Sequence, residues 1–125
     1  PIRRAQLPAL QRVNKLLLSG GTVSENSHVV SSGLATPEEL AAHVARGAAG
    51  VICGRFVDAM GRQMPGETEA RMIGIDLPRL VGLDMGLLVT PGLDKVVPSL
   101  AAIRGGYVTH LATSTRVAEA LLAAD

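Results

Sequence analysis

Leu87-Leu88-Val89-Thr90-Pro91-Gly92-Leu93-Asp94-Lys95 decides how this chain is read. An apolar run stops at a Thr-Pro-Gly turn, and a Lys follows close to a helix start. A buried strand that passes its chain to a helix through a tight loop leaves unpaired N–H groups at the helix end. Such an end attracts anions. Lys95 adds a full positive charge beside Gly92, so a phosphate or carboxylate is one expectation here. A solvated surface charge is the other, and the local residues leave both open. Magnitudes make Lys95 the main element of any such site. A unit charge pair at 4 Å is worth about 4 kcal/mol at an effective dielectric of 20. The helix end adds about 0.3–2 kcal/mol. After solvation, a charged hydrogen bond nets roughly 1.5–3 kcal/mol, or about 10- to 100-fold in affinity.

The same alternation of apolar runs and turns extends outward. Upstream, Leu16-Leu17-Leu18 ends at Gly20-Gly21 and reads as a buried strand. Thr22 to Ser32 is polar and reads as a loop. Thr36-Pro37-Glu38-Glu39 is a helix start: Thr36 caps, Pro37 fits the first position and Glu39 completes a capping box. That helix runs to Gly47, and Ala48 to Cys53 reads as a strand ending in a small core cysteine. Strand, helix, strand predicts a parallel pair with a right-handed crossover. Phe56-Val57-Asp58 and Arg62-Gln63-Met64 predict a hairpin around Ala59-Met60-Gly61. Arg71 to Ile75 reads as extended, and Asp76-Leu77-Pro78 as the start of a brief helix. Downstream of Lys95, a helix is predicted from near Pro98 to Arg104, stopped by Gly105-Gly106. Tyr107 to Ala112 reads as the last strand, and Thr113 or Ser114 as the cap of a closing helix. Four strands separated by helices or a hairpin make an α/β fold with a parallel sheet.

Composition narrows the function classes. The 125 residues suit one domain. At 47% apolar and 2% aromatic, the core must be aliphatic. A net charge of +1, with no like-charge block beyond Arg3-Arg4, gives no support for nucleic-acid binding by these residues. One Cys excludes an internal disulfide and a cysteine-cluster metal site, and fits a reducing compartment. No apolar stretch is long enough to span a bilayer, and the N-terminal residues lack a signal-peptide pattern. A cytoplasmic protein without membrane contact is expected.

Catalytic and metal signals are weak. His28, His43 and His110 lack metal-ligand spacing. Ser24 and Ser27 have no nucleophile-elbow context, and Glu67 and Glu69 offer no paired-carboxylate geometry. Gly20-Gly21-Thr22 follows a strand as phosphate loops do, but no clear helix follows it. No cofactor, metal site or enzymatic activity is expected.

Ser32-Gly33-Leu34-Ala35-Thr36-Pro37-Glu38-Glu39-Leu40 is followed by Gly47-Ala48-Ala49-Gly50-Val51-Ile52-Cys53-Gly54-Arg55-Phe56-Val57-Asp58. Arg71-Met72-Ile73-Gly74-Ile75, the Gly92 to Lys95 turn and Leu100-Ala101-Ala102-Ile103-Arg104-Gly105-Gly106 continue in order. Together these pieces resemble the effector domain of SorC-type (DeoR-like) bacterial transcriptional regulators. The resemblance covers about Asn14 to the C-terminus. It implies a Rossmann-like sheet flanked by helices, akin to ribose-phosphate isomerases and glucosamine-phosphate deaminases. It also implies a phosphorylated-sugar effector, operator affinity tuned by that ligand, and a homo-oligomer. On this reading, residues 1–13 are a leader or linker and 14–125 the C-terminal part of the effector domain. DNA contact would belong to a segment absent here, and the family's first half, with its glycine-threonine phosphate loop, would also be absent. The sheet would then have an unprotected edge.

The family's phosphate-contacting lysine carries over to Lys95, with Gly92 in its turn. Val51 stands where the family has an acid that contacts sugar hydroxyls, and Val51 cannot accept those bonds. Ser31 and Ser114 stand where basic and acidic residues are common. Arg55 and Phe56, beside Val51, are further candidates for the pocket wall. The ligand-binding candidates are therefore Lys95, Gly92, Val51, Arg55 and Phe56. Two alternatives remain: an isomerase- or deaminase-like enzyme fragment, which lacks a placed acid and base, and an oligomerisation fragment with no ligand.

Overall fold

A computed structural model describes residues 8–124, so residues 1–7 of the expected leader lie outside it. Three strands form one parallel sheet in the order β1 (Lys15–Leu18), β4 (Met85–Thr90), β5 (His110–Thr113). Leu18 stands beside Leu88, and Leu88 beside Leu111. The expected α/β architecture with a parallel sheet is present. The connection from β4 to β5 runs through α4 (Val96–Arg104), and α5 (Thr115–Ala123) closes the described chain. Ser114 caps α5 by accepting from the Val117 amide at 3.4 Å.

The predicted parallel pairing of the first two strands is not formed. β2 (Ala48–Ile52) instead pairs antiparallel with β3 (Arg55–Asp58) in a sheet of its own. The reason is local. Cys53 and Gly54 take φ of 49° and 78°, consecutive left-handed residues that reverse the chain at once. Closing so short a loop costs far less chain entropy than a long crossover. Cys53 is accordingly exposed in that turn, not a core residue. The hairpin expected around Ala59-Met60-Gly61 is present as a short one: Val57 bridges Gln63, the Asp58 amide donates to the Arg62 carbonyl at 3.1 Å, and the Met64 amide to the Phe56 carbonyl at 2.8 Å.

Other boundaries also moved. The loop expected over Thr22 to Ser32 contains a short helix, α1 (His28–Ser31). The extended piece expected over Arg71 to Ile75 is preceded by α3 (Glu67–Arg71), which takes in Arg71 itself. The brief helix at Leu77–Leu80 is a 3-10 turn, as short Pro-containing turns tend to be. The last strand starts at His110 rather than Tyr107, because Tyr107 is buried in the core with its hydroxyl donating to the Gly61 carbonyl at 2.5 Å.

α2 (Pro37–Ala45) forms as its sequence dictates. The Glu39 amide donates to Thr36 Oγ1 at 3.2 Å, and the Thr36 amide to Glu39 Oε2 at 2.9 Å. The other Glu39 oxygen takes Arg71 at 2.8 Å, tying α3 to α2. The Thr36 amide first, and then Arg71, hold the Glu39 carboxyl below its ordinary value.

Two apolar clusters build the core. The first joins Leu18 and Leu88 of the sheet to Ile52 and Val57 of the hairpin and to Ala101 and Ala102 of α4. Small residues on α4 allow close approach to both. Pro98 lies in the first turn of α4, where its missing N–H costs little. It touches the two glycines that follow or interrupt strands. A Cβ on Gly50 would fall 2.6 Å from Pro98 Cβ, and one on Gly20 2.9 Å away. The second cluster gathers Val29, Leu40, Val51, Phe56 and Met64 around α2 and the hairpin.

Candidate functional site

The carboxyl ends of β1 and β4 open onto the loop from Gly20 and the turn from Pro91. In an open parallel sheet this is where ligands bind. Gly21 and Val51 fix the first loop by exchanging main-chain hydrogen bonds at 2.7 and 2.9 Å. Ser114 and Thr113, at the end of β5, stitch the second: their hydroxyls donate to the Pro91 and Thr90 carbonyls at 3.4 and 2.5 Å. Beneath it, Ser99 of α4 donates to Thr90 Oγ1 at 3.0 Å, with both residues fully buried.

Between the two loops lies a hollow of about 340 Å³. Its polar wall is Thr22, Ser24 and Asp94, and its apolar wall includes Val23, Val97 and Pro98. Thr22 Oγ1 and Ser24 Oγ are 3.3 Å apart. A larger hollow of about 760 Å³ lies on the far side of Val23 and Ser24, against α2. Its lining is Leu40, Val44 and other apolar residues, with Ser24 and Glu25 the polar ones. Size favours the larger hollow, and both are mainly apolar; the smaller lies between the loops that follow β1 and β4.

Gly92 and Lys95 bracket a 3-10 turn, Leu93–Lys95, and Lys95 then stands at the N-cap of α4. The Lys95 amide turns back to the Gly92 carbonyl at 3.0 Å, and the Val96 amide to Leu93. Pro98 has no amide to offer. The turn thus uses the Lys95 and Val96 amides itself, and the Lys95 side chain carries the positive charge. Lys95 Nζ lies 4.0 Å from Asp94 Oδ2, in a pair whose Asp94 side chain is 68% exposed. A surface pair of this kind is worth at most about 1 kcal/mol, so a ligand can replace it. Asp94 forms part of the wall of the hollow; Lys95 is not among the lining residues and reaches it only through Asp94 Oδ2.

The other candidates lie apart from this turn. Val51 is buried in the second cluster, and its main chain holds Gly21. Phe56 is buried too, stacked on the His43 ring with centroids 4.0 Å apart. Arg55 points away to a separate, shallow hollow of about 530 Å³. There its buried guanidinium clamps the α3 segment, donating to the Glu69 and Gly74 carbonyls and pairing with Glu69 and Asp76 at 3.5 and 3.4 Å. Asp94, Thr22 and Ser24 were not among the ligand-binding candidates. The signal for Asp94 was its place between Gly92 and Lys95, and that for Thr22 its place after Gly20-Gly21. Ser24 gave none, because nothing local says which loop it will face. Among the described residues no three His, Cys, Asp or Glu side chains cluster as metal ligands, and no helix is long and apolar enough to cross a membrane.

With this geometry in view, comparison with known proteins is decisive for family. The family described as "Putative sugar-binding domain" matches residues 3–123. The chain belongs to this sugar-binding domain family. An uncharacterized transcriptional regulator, YjhU, of Escherichia coli K12 is 31% identical over 125 residues, all of this chain and 38% of its own length. A DeoR-family transcriptional regulator from Listeria monocytogenes shares the fold with a TM-score of 0.86 at 21% identity, over 94% of this chain and 49% of that one. The full-length sorbitol operon regulator SorC from Klebsiella pneumoniae does so at 0.83 and 24%, over 96% and 39%. The sugar-binding domain chain thus spans less than half the length of each of these relatives.

Proposed function

We propose that this chain is the ligand-sensing part of a SorC-type transcriptional regulator and binds a phosphorylated sugar at the ends of β1 and β4. Lys95 takes the phosphate, with Gly92 shaping its turn. The hollow of Thr22, Ser24 and Asp94 takes the rest of the sugar. The observation that carries this reading is the hollow lined by Thr22, Ser24 and Asp94 between the loops that follow β1 and β4, with Lys95 Nζ 4.0 Å from Asp94 Oδ2 in a surface pair. Arg55 and Phe56 serve the pocket indirectly, by fixing the hairpin and the segments packed on it. Val51 serves it through Gly21. Operator contact belongs to polypeptide outside these residues, the protein works in the cytoplasm as a homo-oligomer, and it performs no catalysis.

Calorimetry with a panel of pentose and hexose phosphates tests the reading. Wild type should respond to at least one, and Lys95→Ala should weaken that response about 10- to 100-fold, as loss of a charged hydrogen bond does. Equal binding by wild type and Lys95→Ala would remove Lys95 from the site. Turnover of a sugar phosphate by the pure protein would overturn the sensor assignment in favour of an enzyme.

A further inference from the structure

The described lining of the small hollow holds one charged side chain, and it is negative. A carboxylate repels phosphate and accepts hydrogen bonds from hydroxyls. When ionised it is an acceptor only, with two oxygens that can take two neighbouring donors. We infer that Asp94 selects the ligand by binding the hydroxyl groups of its sugar ring, while the phosphate is left to Lys95. The inference rests on the sugar-phosphate reading above and assigns it a specificity residue.

Local geometry shows how Asp94 is seated. Its Oδ1 folds over Gly92, so a side chain at that position would push the exposed carboxylate aside. Gly92 has φ of –107°, which every residue adopts, so backbone freedom is not what glycine supplies here. Glycine leaves the carboxylate in this pose. That carboxylate stays 68% exposed and lines the same hollow as Thr22 and Ser24. Those hydroxyls can each donate or accept, as ring oxygens and hydroxyls require. Val23, Val97 and Pro98 supply an apolar surface for the C–H face of a sugar. Asp94 Oδ2 and Lys95 Nζ, 4.0 Å apart, then present one acceptor and one donor to two ends of the same small molecule.

The test compares wild type, Asp94→Asn and Lys95→Ala by calorimetry at constant pH and ionic strength. The probes are ribose 5-phosphate, glucose 6-phosphate, fructose 6-phosphate and inorganic phosphate. Asp94→Asn should weaken every sugar phosphate that wild type binds by about 10- to 100-fold. It should leave inorganic phosphate unchanged or tighter, because a repelling charge has gone. Lys95→Ala should weaken both classes. If Asp94→Asn leaves sugar-phosphate binding intact, the inference falls and the sensor reading stands. If Asp94→Asn weakens inorganic phosphate as much as the sugar phosphates, Asp94 merely positions Lys95, and the inference also falls. If wild type binds no sugar phosphate, the sensor reading falls and takes this inference with it. Thermal unfolding of each variant checks the fold, and the exposed Asp94 side chain should leave the midpoint unchanged.

Discussion

Across β1 and β4 the two faces of the sheet differ sharply, whereas on β5 Leu111, beside buried Leu88, is 42% exposed. One face carries Leu18, Leu88 and Thr90, which are 5%, 0% and 0% exposed under α4 and the hairpin. The other follows from strand alternation and register: Leu17, Leu87, Val89 and Ala112. There Leu17 is 69% and Val89 39% exposed. Parallel sheets are ordinarily covered on both faces. The contrast teaches that an apolar strand sequence announces burial on two sides while the described residues supply a layer for one. The bare face is accordingly where the proposed self-association would bury apolar surface.

Mutations on the two faces should separate these roles. The largest effect is expected on the covered side. Leu88→Ala should destabilise the protein by about 2–5 kcal/mol through lost burial and a residual cavity, read by urea unfolding. A cost below about 1 kcal/mol would mean that α4 and the hairpin do not close over the sheet as described. Ser99→Ala removes the donor to buried Thr90 and should cost about 1–2 kcal/mol, the price of an unmade hydrogen bond in the interior. Leu17→Lys on the bare side should change monomer stability by no more than about 0.5 kcal/mol. Its effect should appear instead in sedimentation velocity, as a larger monomer fraction than wild type at the same concentration. Unchanged association would place the oligomer contact elsewhere.

The elements whose causes are local were legible in the sequence. The capping box at Thr36 and Glu39, the glycine stop at Gly105-Gly106 and the Ser114 cap all depend on neighbours within a turn, and each is where the residues put it. The hairpin at Cys53 and Gly54 was not legible, because a cysteine in the left-handed region has no propensity signal. The role of Gly20 and Gly50 was not legible for another reason: both make room for Pro98 of a helix far along the chain. The candidate site divides in the same way. Gly92 and Lys95 could be picked from one short stretch. Arg55 could not be told from a pocket residue until the segment it clamps had folded against it.

The sequence by itself determined the α/β class, the family likeness and most helix boundaries, because capping, periodicity and glycine stops act over a few residues. Tertiary structure alone decided which strands pair, which sheet face is bare and that Asp94 lines one hollow with Thr22 and Ser24. Those outcomes depend on the packing of α4 against both β1 and the hairpin. Contacts of that kind are set by shape and burial between distant segments, and no local pattern of residues encodes them.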